Sequence, residues 1–125
     1  MITITNAFSL SMLPAWRQAL VGQDGEPAVT TELAITPCDP RGVLELADQQ
    51  GREVRSAVGH ADTAALFSAI LGRPVACERR SIELGCDEAL LVGQYVGPRL
   101  PEGATTLPEG AEVRWFLVQY LEDAE

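Results

Sequence analysis

The segment SAVGHADTAALFSAILG, residues 56 to 72, constrains the fold more than any other part of the chain because it carries the clearest helical pattern. Ser56 or Gly59 can cap its start, and Gly72 followed by Pro74 ends it. A helix with one apolar stripe is stable when another layer of structure covers that stripe. The residues of the stripe recur at helical spacing: Leu66, Phe67, Ile70 and Leu71.

Segments on both sides of this helix alternate as β-strands do, and they supply the layer that the helix needs. We predict strands in MITITNAF, ending near Asn6, and in AVTTELAITP, RRSIEL, EALLVGQYVG and AEVRWFLVQYLED. The last of these places Val113, Trp115, Leu117 and Gln119 on one face.

A second helix is predicted from Asp39 to Gly51, because the segment starts with Asp-Pro and stops at glycine. Ser9 or Ser11 can cap one further helical turn, which Pro14 limits. The sum is an α/β or α+β fold in a single domain over residues 1–125. Its centre is a mixed sheet of about five strands, flanked by two or three helices.

Bulk composition agrees with one packed domain, since 46% of the residues are hydrophobic and 22% are charged. The longest uncharged apolar run, ALLVGQYVG, is too short to cross a bilayer, and the first ten residues lack signal-peptide features. We therefore expect a cytoplasmic protein without membrane contact. Cys38, Cys77 and Cys86 have no C-x-x-C spacing, which argues against a zinc site and predicts reduced, mostly structural thiols.

The charge of the chain limits its possible partners. Its 18 acidic and 9 basic residues give a net charge of −9, which argues against sequence-independent binding of long nucleic acid. A small anion remains possible where positive side chains converge. Arg73, Arg79 and Arg80 lie close together in sequence after the first helix described above, and Arg99 lies in a turn-rich loop.

His60 is the only histidine, and it has two interpretations. In the first, it is a polar residue at a helix start, near free backbone N–H groups, with no chemical role. In the second, the N–H groups and the positive end of the helix dipole attract a phosphate, and the imidazole meets its leaving oxygen. A bound phosphate would favour the imidazolium that such a step needs.

Four further groups allow both a structural and a functional interpretation. Asn6 and Ser9 follow the first strand and are either turn-formers or polar contacts. Arg79 and Arg80 begin a predicted strand, where one of them is usually a solvated edge charge. Gln94 is either an edge residue facing water or an amide that reads a base. The loop GPRLPEG carries Arg99 and Glu102, as a surface ion pair or as ligand-binding groups.

Four segments together resemble a known family: NAFSLSML, SAVGHADTAALFSAILG, LLVGQYVGPRLPEG and VRWFLV. They are similar to the small viral anti-CRISPR ring nucleases of type III systems, which have relatives in bacterial CRISPR loci and mobile elements. The resemblance covers roughly the first dozen residues and most of the chain from Ser56 onward, whereas residues 15–55 depart from it.

The resemblance implies binding of cyclic tetra-adenylate, the second messenger of type III systems, and its cleavage to linear di-adenylate without a metal or cofactor. It implies His60 and Glu102 as catalytic residues. The implied ligand contacts are Asn6, Ser9, Ser11, Arg79, Gln94 and Arg99, with Arg80 as an alternative to Arg79.

A two-fold symmetric ligand and a chain with one histidine also predict a homodimer with the site across its interface. The alternative function is a protein of the same fold that sequesters the cyclic nucleotide without cutting it, or that regulates another partner.

Overall fold

The computed structural model describes residues 1–13, 32–100 and 104–121. Five strands form one sheet: β1 (Ile2–Thr5), β2 (Leu33–Pro37), β3 (Val54–Ser56), β4 (Ala89–Val96) and β5 (Glu112–Tyr120). The described α-helices are α1 (Pro40–Gln49) and α2 (Ala61–Leu71), and a 3₁₀ turn spans Leu10–Met12. The predicted α+β fold with a five-stranded mixed sheet is confirmed.

The strand order is β2-β5-β4-β1-β3, which places β4 in the centre of the sheet. β1 pairs in parallel with both β3 and β4, whereas β5 is antiparallel to β4 and to β2. Parallel strands point the same way, so the carboxyl ends of β1, β3 and β4 meet at one edge of the sheet. We call this edge the site edge, because the candidate residues follow these three strands.

Both helices cover the same face of the sheet. Phe67 of α2 is fully buried against Trp115 of β5, with ring centroids 4.8 Å apart. Gly93 of β4 lies beneath these rings: a Cβ there would stand 2.6 Å from Trp115 and 2.8 Å from Phe67. The predicted face of β5 is confirmed for Val113, Trp115 and Leu117, which pack in this cluster.

The other face of the sheet is covered by chain segments without regular structure. Leu13, Ile82 and Leu84 pack there against Leu90 and Val92 of β4. The segment that ends at Leu84 is tied to the 3₁₀ turn by a hydrogen bond from the Leu84 amide to the Met12 carbonyl, 2.8 Å long. This face also carries the grooves described below.

Local sequence signals explain the helix ends. Asp39 caps α1, its carboxylate accepting from the Arg41 amide at 3.2 Å, and Pro40 occupies the first turn. Gly72 ends α2 in the left-handed conformation at φ 68°. The Arg41 guanidinium also donates to the Ile70 carbonyl at 2.8 Å, which fastens the end of α2 to α1.

One predicted helix start and one predicted strand are wrong. Of the two starts predicted for α2, Ser56 is wrong, because it belongs to β3, a short strand that the sequence analysis did not identify. The other, Gly59, lies one residue before the observed N-cap, His60. The buried Ser56 hydroxyl donates to the Ala76 carbonyl at 2.6 Å instead of capping a helix. The segment RRSIEL, starting at Arg79, forms no strand.

The described cysteines are free, with Cys38 half-buried and Cys77 and Cys86 exposed. Exposure of two thiols contradicts a packing role for them. Within the described ranges, no helix is long and apolar enough to cross a membrane.

Candidate functional site

His60 stands at the site edge, four residues beyond the end of β3 and directly before α2. It is the N-cap residue of α2, with extended backbone at φ −121° and ψ 130°. Its side chain makes no capping hydrogen bond and is exposed. The imidazole therefore does not serve the helix start, and it remains available at the positive end of an 11-residue helix.

Arg79 lies against the loop that leads into His60. Its Nε donates to the Gly59 carbonyl at 3.1 Å, and a Cβ on Gly59 would stand 3.0 Å from the Arg79 Cγ. Two backbone contacts bring the segments together: a parallel bridge between Val58 and Cys77, and a 2.8 Å hydrogen bond from the Glu78 amide to the Val58 carbonyl. The Nε atom of Arg79 thus holds the loop at Gly59, the residue directly before His60.

Arg80 has different surroundings from Arg79. Its guanidinium forms an ion pair with Glu78, and the residue lines a groove beside β1. This groove, which we call the loop groove, has a volume of about 470 Å³. Its lining includes Thr5, Asn6, Ser11, Ala57, Arg80 and Ser81. Ala57 of this lining precedes His60 by three residues, so at most about 10 Å of extended chain separates the two residues.

A second groove opens over the face of β4 and β5, and we call it the strand groove. It has a volume of about 380 Å³. Its lining includes Asn6, Phe8, Ile35, Val92, Gln94 and Phe116. Gln94 is exposed, but it lies in β4, the central strand, and not in one of the two outer strands of the sheet. Asn6 and Ala7 line both grooves, which are therefore adjacent.

The two serines near β1 hydrogen-bond to each other. The Ser9 and Ser11 hydroxyl oxygens are 3.0 Å apart, and the Ser9 hydroxyl also accepts from the Ser11 amide at 3.3 Å. The Met12 amide donates to the Ser9 carbonyl at 3.0 Å, as expected of a residue that caps the 3₁₀ turn. Ser11 lines the loop groove with Asn6, whereas Ser9 serves the turn.

Arg99 is exposed in the loop after β4, at the site edge. The Tyr95 hydroxyl donates to the Pro98 carbonyl, which ties the start of this loop to the strand. Gly97, at φ 148°, approaches Ala111 closely enough that a Cβ would stand 2.7 Å from it. Glu102 lies outside the described residues, so its predicted proximity to Arg99 remains a prediction.

Arg73 does not belong to the site, although it is near Arg79 and Arg80 in sequence. It follows the carboxyl end of α2 and pairs with Asp48 of α1 at 3.1 Å. The 11 residues of α2 span about 16 Å, which separates Arg73 from His60. The sequence cluster of three arginines is therefore divided between the two ends of the helix.

Sequence analysis missed the apolar lining of the strand groove. Phe116 is half-buried and Ile35 is 57% exposed, and β2 and β5 bring them to one face. The alternation of β5 could have indicated Phe116, since it lies on the face opposite Trp115. Ile35 had no comparable signal, because its place depends on long-range pairing of β2 with β5.

A family model described as STIV B116-like matches residues 2–114. Among solved structures, the chain is similar to B116 of Sulfolobus turreted icosahedral virus, with a TM-score of 0.68 and 22% sequence identity. The match covers 94% of this chain and 97% of the viral protein. A search of curated proteins found no match.

Proposed function

The chain belongs to the STIV B116-like family, and from this premise we propose that it is a metal-independent ring nuclease that cleaves cyclic tetra-adenylate. The substrate and reaction come from the resemblance of its sequence segments to the viral anti-CRISPR ring nucleases. Cleavage of this messenger would switch off type III CRISPR signalling. The products are two linear di-adenylates with 2′,3′-cyclic phosphate ends.

One observation carries the proposal: an exposed imidazole that makes no capping hydrogen bond stands at a helix N-terminus, directly after the glycine whose carbonyl Arg79 binds. His60 makes no capping hydrogen bond. Arg79 donates a hydrogen bond to the carbonyl of Gly59, the residue before His60. A helix N-terminus attracts a phosphate through its dipole and its N–H groups, and a guanidinium adds charge-assisted hydrogen bonds. The two loops that carry His60 and Arg99 follow parallel neighbours of β1 and open on the same edge.

The reaction needs little more than these groups. The 2′-oxygen of one ribose attacks the adjacent phosphorus, the bond from phosphorus to the 5′-oxygen breaks, and His60 gives its proton to that leaving oxygen. The proton of the 2′-hydroxyl passes to water or to a carboxylate, the role open to Glu102. Arg79 and Arg99 stabilise the charge that develops on the phosphate. Because the nucleophile belongs to the substrate, its alignment is the main task of the protein.

Two opposite cuts in one ring require two histidines, and each chain has one. A two-fold symmetric homodimer that binds one ring on its axis supplies both. In this arrangement the arginines of both protomers converge on the ligand, which offsets the net charge of −9 per chain locally.

The test is incubation of the protein with cyclic tetra-adenylate in excess chelator, with products separated by chromatography. The proposal expects many turnovers per dimer and di-adenylate as the end product. Stoichiometric retention of intact ring would contradict the enzyme and favour a protein that only sequesters the nucleotide. A final product of linear tetra-adenylate, or a ligand-bound monomer in light scattering, would contradict the shared site.

A further inference from the structure

The hydroxyl of Ser56 joins the two stretches of chain that carry His60 and Arg79. Ser56 ends β3 and is buried, with 8% of its surface exposed. Residues 57–60 follow it and end at His60, and we call them the His60 loop. Residues 76–79 end at Arg79, and we call them the Arg79 segment. Neither stretch belongs to a helix or to a strand of the sheet, so their spacing depends on individual contacts.

The Ser56 hydroxyl acts as donor and acceptor at once, toward one backbone group on each side. Its oxygen accepts from the buried Val58 amide at 3.2 Å, and it donates to the Ala76 carbonyl at 2.6 Å. An isolated parallel bridge between Val58 and Cys77 sets the two stretches of chain side by side at this point. The serine hydroxyl therefore links the His60 loop to the Arg79 segment through their backbones.

Further contacts continue this pairing toward the candidate site. The Glu78 amide donates to the Val58 carbonyl at 2.8 Å, and the Arg79 Nε donates to the Gly59 carbonyl at 3.1 Å. Both stretches run in the same direction, so the contacts form a series that starts at the serine hydroxyl and ends one residue before the N-cap of α2. A change of spacing at the first contact is therefore passed along the His60 loop.

We propose that Ser56 is a positioning residue for His60, because it holds the His60 loop against the Arg79 segment at the spacing that cleavage needs. The inference rests on the proposed function for the reaction, and it gives Ser56 no contact with the ligand. Without the hydroxyl, the Val58 amide and the Ala76 carbonyl pair directly or admit a water, and either change alters the spacing. A displacement of about 1 Å at the reacting groups costs about 10²-fold in rate.

Ser68 supplies a matched control. Its hydroxyl accepts from the Val75 amide and donates to the Ala64 carbonyl, each at 2.8 Å, so it fastens the chain just before the Arg79 segment to the middle of α2. Ser68→Ala removes a hydroxyl with two backbone partners, as Ser56→Ala does, but it leaves the contacts of the His60 loop in place. Ser56→Thr is the conservative variant, because it keeps the hydroxyl.

The test is a double-mutant cycle on the single-turnover rate of cyclic tetra-adenylate cleavage, with the affinity of each variant titrated. Ser56→Ala should cleave about 10- to 100-fold more slowly than the natural sequence, with a smaller change in affinity, and Ser56→Thr should recover most of the rate. In the His60→Asn background, the loss caused by Ser56→Ala should shrink to about 3-fold or less, because the proton donor that it positions is already absent. Ser68→Ala should change the rate by about 3-fold or less in both backgrounds.

Three results would overturn the inference. The first is an equal loss of rate in Ser56→Ala and Ser68→Ala, since the loss would then be general to the removal of a hydroxyl. The second is a loss that persists undiminished in the His60→Asn background, since Ser56 would then not act through the imidazole. The third is a folded Ser56→Thr that cleaves no faster than Ser56→Ala.

Failure of the proposed function gives a different result, because the natural sequence would then not cleave the ring. Hydrogen exchange then decides the role of Ser56 separately. The Glu78 amide should exchange about 2- to 10-fold faster in Ser56→Ala than in the natural sequence, the range for pairing weakened by one hydrogen bond, and it should be unchanged in Ser68→Ala. Unchanged exchange of this amide in Ser56→Ala would show that the hydroxyl does not hold the His60 loop, and would refute the inference.

Discussion

Gly59→Ala should weaken ligand binding without unfolding the protein. The new Cβ would stand 3.0 Å from the Arg79 Cγ, and carbon atoms pack best at about 3.5–4.0 Å. The Arg79 side chain must therefore shift by a few tenths of an ångström. The hydrogen bond from Arg79 Nε to the Gly59 carbonyl, now 3.1 Å, would then lengthen beyond the usual range of about 2.7–3.2 Å and weaken.

The expected magnitude follows from these contacts. Weakening of one exposed hydrogen bond costs at most about 1 kcal/mol, and replacing a loop glycine by alanine recovers about 0.4–1 kcal/mol by restricting the unfolded chain. The free energy of unfolding should therefore change little. A displaced guanidinium should cost about 1–2 kcal/mol of phosphate binding, which raises the dissociation constant about 5- to 30-fold.

The assay is calorimetric titration of cyclic tetra-adenylate into Gly59→Ala and Gly85→Ala, with thermal unfolding measured for both. Gly85 is a matched control, because its Cβ would meet a flexible side chain, that of Glu88, at 3.3 Å, away from the site edge. Equal affinity of Gly59→Ala, Gly85→Ala and the natural sequence would refute the reasoning. So would a large loss of stability confined to Gly59→Ala.

Three further predictions concern other parts of the molecule. Arg99→Ala should weaken binding of the cyclic nucleotide about 10-fold or more in a direct titration, since its guanidinium binds phosphate before and during cleavage; unchanged affinity would leave Arg99 as a surface charge. Gly93→Ala should lower the free energy of unfolding by about 1–3 kcal/mol in denaturant titration, because its Cβ would overlap Trp115 and Phe67; equal stability would contradict this packing. Iodoacetamide at pH 8 should modify Cys77 and Cys86 before Cys38 in a mass-spectrometric time course. Burial, assisted by the charge of Asp39, raises the pKa of the half-buried Cys38 thiol and so reduces its reactive thiolate; faster labelling of Cys38 would contradict that environment.

Local sequence signals predicted much of the fold. Asp39 before Pro40 marked the start of α1, and Gly72 marked the end of α2, because caps and stops act through neighbouring residues. The alternation of β5 also predicted the buried face that Val113, Trp115 and Leu117 share. Of the two caps predicted for α2, Gly59 lies one residue before the observed N-cap, His60. Ser56 was wrong: serine is a good capping residue, and the three residues of β3 carry too little pattern to reveal the strand.

The segment from Arg79 to Leu84 shows why alternation is not enough to predict a strand. The buried Ile82 and Leu84 alternate with the exposed Ser81 and Glu83, so the pattern reports burial on one side correctly. The backbone bonds elsewhere, as when the Leu84 amide donates to the Met12 carbonyl. The hydrogen-bond partner of a segment depends on residues distant in sequence, and the periodicity of the segment itself carries no information about them.

The candidate site was predicted unevenly for a similar reason. His60 was identifiable from its place beside a glycine at a helix start, and the structure leaves its imidazole uncommitted there. The arginines were grouped by sequence distance, but α2 carries Arg73 away to pair with Asp48. The lining of the strand groove depends on the pairing of β2 with β5, so Ile35 could be assigned only from the structure.

The most direct test of the central claim is the single-turnover cleavage rate of His60→Asn compared with the natural sequence. Asparagine is a good residue at a helix start, so α2 should form normally while the proton donor is lost. We expect the cleavage rate to fall about 10²- to 10⁴-fold, with the affinity for cyclic tetra-adenylate nearly unchanged. Cleavage by His60→Asn at the natural rate would contradict the assignment of His60 as the general acid.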